Sequence, residues 1–73
     1  MSIYHYTVDT PHGRFVTHDR HSYFAVIFKC RNNGAKPDVL WLTSEHVAKR
    51  EAVSMSRLGF EVLGTYTAIE RVL

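Results

Sequence analysis

Three histidines, His12, His18 and His21, fall within the stretch PHGRFVTHDRH, and Asp19 lies between the last two. Imidazole nitrogens and carboxylates are zinc ligands, and a structural zinc site gathers four such groups at about 2.0–2.3 Å. The spacing opposes convergence. His12 belongs to a turn, DTPHGR, in which Pro11 suits the second position of a type I turn and Gly13 tolerates positive φ. His18 and His21 flank the next bend, beyond a returning strand RFVTH that separates the two ends by roughly 17–20 Å. The remaining His18, Asp19 and His21 are too few for a closed site, so no metal is expected.

Covalent chemistry fares no better. A nucleophile needs an adjacent base and an orienting acid. Cys30, the single cysteine, sits in an apolar strand pattern, where a thiol is expected to behave as a small inert hydrophobe. No G-x-S-x-G motif occurs, and the glycines at 13, 34, 59 and 64 are too scattered to cradle a phosphate. Glu51 and Glu61 are both carboxylates, but nothing in their spacing fixes a paired geometry. The expectation is a protein without catalytic residues and without a cofactor.

Size points the same way. The 73 residues form a single domain spanning 1–73, with a core too thin to be hollowed by a pocket of several hundred Å3. Nine Lys and Arg against seven Asp and Glu leave a net charge of +2, with the signs interspersed. That balance permits nucleic-acid contact only if the cations gather on one face. A lone cysteine excludes an intramolecular disulfide and suits a reducing cytoplasm. No apolar run reaches the roughly 18 residues of a membrane span. The opening MSIYHYTVDT lacks the basic flank and apolar stretch of a signal peptide.

The elements that carry these residues follow from periodicity. SIYHYTVD alternates, with Tyr4, Tyr6 and Val8 on one side and Ile3, His5 and Thr7 on the other, which predicts a strand. YFAVIFKCR is apolar on both faces; its aromatic and β-branched content favours a central strand over a buried helix running from Asp19 to Asn33-Gly34. RNNGAKPD is a loop, and VLWLT a short strand.

SEHVAKREAVSMSRLG has a cap at Thr43 or Ser44, a Glu45–Lys49 pair at i, i+4, and a glycine stop at Gly59. Val47, Ala48, Ala52, Met55 and Leu58 form its apolar stripe, opposite Lys49, Arg50 and Arg57. Glu51 intrudes on that stripe, either reaching out from its margin or pairing with an Arg or His of the sheet. FEVLGTYTA is a further strand, and IERVL extends it or trails as a tail. The expected fold is α+β: a small antiparallel sheet of four to five strands, one face covered by a helix over about residues 44–58.

Two surface functions remain. Tyr4, Tyr6, Arg14, Arg20, Tyr23, Lys29 and Arg31 form an aromatic and basic set able to stack bases and follow phosphates of a single strand, although the aromatic–glycine signature of an RNA-recognition sheet is absent. The same mix of Tyr, Arg and His is that of protein-interface hot spots. SIYHYTV and FEVLGTYT read as edge strands open to strand addition. On that argument a protein partner is expected to contact Ile3, Tyr4, His5, Tyr6, Arg14 and Arg20.

In length, in strand-rich layout and in its closing TSEHVAKREAVSMSRLG and FEVLGTY segments, the chain resembles small single-domain proteins with which phages disable host machines. These include anti-CRISPR proteins and the short RNA polymerase-binding transcription regulators of Xanthomonas phages, to which the layout is most similar. No diagnostic motif carries the resemblance. It implies a non-enzymatic inhibitor in the host cytoplasm that binds RNA polymerase, blocks initiation and relieves termination, with no membrane role. The near-neutral charge departs from the acidic DNA mimics among such proteins.

Overall fold

Pro11 fixes its φ near −65°, and Gly13 takes φ +125°, so the chain reverses over the two residues between Thr10 and Gly13. The Thr10 hydroxyl donates to the Gly13 carbonyl at 2.9 Å and accepts from the His12 N–H at 3.0 Å, which locks the turn. The computed structural model describes residues 4–72. The strands joined by this turn are β1 (Tyr4–Thr10) and β2 (Gly13–Thr17). After a bend come β3 (Phe24–Lys29), β4 (Asp38–Leu42), helix α1 (Glu45–Arg57), β5 (Glu61–Thr67) and β6 (Ile69–Val72).

All pairings are antiparallel. The strands form two sheets of three, ordered β2-β1-β6 and β4-β3-β5. The α+β class and the single helix agree with the sequence; the expected sheet of four to five strands is instead six strands in two sheets. The cause lies after β5. Ala68 interrupts the ladder, its N–H donates to the Tyr23 carbonyl at 2.8 Å, and the chain then leaves β3 to pair with β1 as β6. IERV is therefore a strand of its own, and one continuous extended segment serves both sheets. The same pairing corrects the expected place of SIYHYTV: β1 is a central strand, flanked on both sides, and offers no free edge. β5 does lie at the margin of its sheet.

β3 is buried on both faces, as its two-sided apolar pattern predicts. Ala25 and Ile27 meet Val8 of β1, with Phe15, Val39, Trp41, Leu63 and Tyr66 packed around them. Val26 alternates to the opposite face, the side on which α1 packs against β3 and β5, and both Val26 and Ala48 are fully buried. The result is three layers: the β1 sheet, the β3 sheet and the helix. A bulge at Leu63 shifts the β3–β5 register between Ile27/Gly64 and Phe28/Val62. Phe28 and Phe60 pack edge to face at 5.5 Å.

The helix starts where Ser44 accepts the Val47 N–H at 3.2 Å and stops before Gly59 at φ +99°. Lys49 and Glu45 pair at 3.0 Å, as their spacing predicts. Val47, Ala48, Ala52 and Met55 turn inward, but Leu58 does not: it is the C-cap residue and 74% exposed, because the stripe ends before the chain turns away. Glu51 is half-buried within the stripe and takes no ion pair among the described residues. Cys30 falls beyond the end of β3 and is exposed, contrary to the buried placement its apolar neighbours suggest. No helix among the described residues is long and apolar enough to cross a membrane.

Candidate binding cleft

Alternation along β1 sends Tyr4, Tyr6 and Val8 to one face of their sheet. Val8 is taken up by the core between the sheets. Tyr6 comes next and is 3% exposed, whereas Tyr4, the first residue of β1, is 39% exposed. Register places Glu70 of β6 opposite Tyr6 and Val72 opposite Tyr4. The bend between β2 and β3 closes the space from the other side with Arg20, His21 and Tyr23. These six residues, Tyr4, Tyr6, Arg20, His21, Tyr23 and Glu70, line an open cleft of about 300 Å3.

The bend is held by short contacts. The Ser22 hydroxyl, itself buried, donates to the Asp19 carbonyl at 2.9 Å, and the Asp19 N–H donates to the Thr17 hydroxyl at 3.2 Å. His21 adopts a left-handed backbone with φ +64°, which costs a non-glycine residue about 1–2 kcal/mol. Such conformations gather at functional sites because surrounding contacts must enforce them. The His21 side chain is itself engaged: its Nδ1 lies 3.0 Å from the Tyr23 hydroxyl.

Tyr23 in turn packs edge to face against Tyr6, centroids 5.5 Å apart, and against the His21 ring at 5.8 Å. The Tyr6 hydroxyl donates to Glu70 Oε1 at 3.3 Å. Burial pushes the Tyr6 hydroxyl above its ordinary pKa, opposed by a hydrogen bond with the His21 backbone and aided by the negative charge of Glu70 and by Tyr23. Tyr6 is thus the fixed floor of the cleft, and Tyr4 and Tyr23, each 39% exposed, are its accessible walls.

Three of the residues expected to contact a partner, Tyr4, Tyr6 and Arg20, meet here. His5 points to the opposite face of its strand, where its ring lies 6.0 Å from that of His18, and His5 Nδ1 is buried with no hydrogen-bond partner among the described residues. Arg14 sits at the hairpin, bound to Asp9 at 2.6 Å, and this bond holds the Asp9 carboxyl below its ordinary pKa. Ile3 lies outside the described residues.

The aromatic and basic set is divided as well. Lys29 pairs with Glu61 at 3.6 Å across the β3–β5 ladder, and Arg31 donates to the Gly59 and Phe60 carbonyls beyond the helix. Only Arg20 remains beside the tyrosines. His21 and Glu70 belong to the cleft, although sequence reasoning weighed the first only as a metal ligand, which it rejected, and gave the second no role. Among the described residues, no three His, Cys, Asp or Glu side chains are grouped as metal ligands. No family model, curated protein or solved structure matches the chain.

Proposed function

We propose that the protein is a non-enzymatic binding module that regulates a larger assembly by docking a partner protein at the tyrosine cleft. One observation carries this reading: Tyr4, Tyr23 and Arg20, residue types that dominate interface hot spots, surround an open concavity with a rigid aromatic floor. The openness also favours binding over turnover, because acid–base chemistry gains most where water is excluded. RNA polymerase of a bacterial host is the partner named by the resemblance in layout, with effects on initiation and termination in the cytoplasm; the other phage anti-defence roles are its neighbours in that resemblance.

Co-elution with purified bacterial RNA polymerase holoenzyme tests the named partner. Retention of the wild-type protein, and its loss in Tyr23→Ala and Arg20→Glu, is the expected result. A complex that survives both changes would place the interface elsewhere.

Single-stranded nucleic acid is the second reading, favoured by the two exposed tyrosines beside Arg20. It is weakened by Glu70 on the cleft wall and by the engagement of Arg14, Lys29 and Arg31 in other contacts. A binding constant for oligo(dT) that falls steeply with salt would support it, since released counterions leave that dependence.

A further inference from the structure

The cleft carries one anion and one cation that do not meet. Among the described residues, neither Glu70 nor Arg20 forms an ion pair, and Glu70 accepts a hydrogen bond from Tyr6. The rings of Tyr4, Tyr6 and Tyr23 line the same cleft, and the Tyr6 hydroxyl donates to Glu70 at 3.3 Å. A carboxylate beside tyrosine faces attracts a planar cation twice over: the ring quadrupoles draw its charge, and the carboxylate accepts its paired N–H groups. Guanidinium fits this better than ammonium, since it is planar, weakly hydrated and able to bond a carboxylate through two parallel N–H groups. Arg20, on the lining of the same cleft, adds a second requirement, because it repels a bare cation unless a negative group accompanies it.

We infer that the cleft receives an arginine side chain of the partner protein, stacked against Tyr4 and Tyr23 with its guanidinium on Glu70, while an adjoining Asp or Glu of the partner pairs with Arg20. This inference rests on the proposed binding role and adds the chemistry of the docked residue. The alternative occupant with similar edges is a guanine base, whose N–H groups also suit a carboxylate. A nucleotide would however bring its phosphates to a cleft whose lining holds one arginine and no lysine, beside the Glu70 carboxylate.

The test uses the full chain, labelled with nitrogen-15 and titrated with capped dipeptides while amide shifts of Arg20, His21, Tyr23 and Glu70 are followed. Acetyl-Arg-Asp-amide should shift these amides saturably. The version with citrulline, which keeps the shape and loses the charge, should bind about fivefold more weakly or less still. Glu70→Gln, which preserves shape, should weaken the arginine peptide by a similar factor, and replacing the peptide's Asp with Asn should matter in wild type but not in Arg20→Ala.

Equal binding of the citrulline peptide, indifference to Glu70→Gln, no saturable shift, or tighter binding of GMP than of the arginine peptide would each overturn the assignment. The two proposals fail separately. Polymerase capture that depends on Tyr23 but not on Glu70 would leave the binding module standing and remove the arginine.

Discussion

Gly64 shows how one absent side chain sets the local packing. A Cβ there would lie 2.9 Å from Tyr66 Cε2, so the Tyr66 ring covers the glycine on its own strand. Tyr66 also packs, partly buried, against the core of Val8, Ala25 and Ile27, and Gly64 itself has φ +156°, which a side chain rarely adopts. Gly64→Ala should cost about 1–3 kcal/mol, the usual range for overpacking. In chemical denaturation, the Gly64→Ala, Tyr66→Ala double variant should lose less than the sum of its singles, because the second change removes the clash created by the first.

Tyr6 supplies a pH dependence. Its raised pKa means that the folded protein keeps a proton the unfolded chain gives up near pH 10. The associated stability is present below that pH and is lost as pH rises through the folded value. Urea titrations from pH 9 to 11.5 should therefore show a smaller alkaline loss for Tyr6→Phe than for wild type. Asp9 runs in the opposite sense: its contribution is present above its ordinary pKa of 3.8 and disappears as pH falls through the lowered value set by Arg14.

At the level of elements, the helix stands on local signals. Ser44→Ala removes the acceptor for the Val47 N–H and should cost about 1 kcal/mol in a thermal melt. Those signals were legible in the sequence because cap, i, i+4 pair and glycine stop all lie within one segment. β1 and β3 were legible for a similar reason, since period-two alternation and a two-sided apolar run are properties of a single strand.

β6 was not. Ile69, Glu70, Arg71 and Val72 are all exposed, so no burial rhythm marks them, and their partner is the first described strand of the chain. Glu70 was hidden with its strand, because its place beside Tyr6 exists only through that long-range register. His21 and Tyr23 were visible as chemistry but not as neighbours of Tyr6; the bend that joins them depends on a left-handed histidine. Ala68→Pro offers a direct check on this element. It deletes the N–H bonded to Tyr23, and should increase amide exchange in β6 and Glu70 while leaving α1 protected.

The whole molecule measures 42 × 26 × 16 Å, with a radius of gyration of 12.6 Å against roughly 11 Å for a compact chain of this size. Its interior is correspondingly slender, and Ile27 and Val26 are its largest fully buried side chains. Ile27→Ala should cost about 2–5 kcal/mol, comparable to the roughly 3–5 kcal/mol a domain of this size commands. Circular dichroism should find this variant largely unfolded at 37 °C. The thin core was readable from length alone; the division into two sheets was not, because it turns on the departure of the chain at Ala68.

The shared segment from β5 to β6 also sets a timetable for birth on the ribosome. β1 emerges before every other described strand, yet it gains its second neighbour only when the last of them has cleared the exit tunnel. Until then the nascent chain holds an unfinished ladder, and the ring of Tyr6 waits without the carboxylate it will bond. Pairing of strands so far apart in sequence is slow compared with helix formation, so the cleft is completed only after β6 has joined β1. Stalled chains released before residue 69 should yield to protease throughout the first hairpin, while chains that include β6 resist.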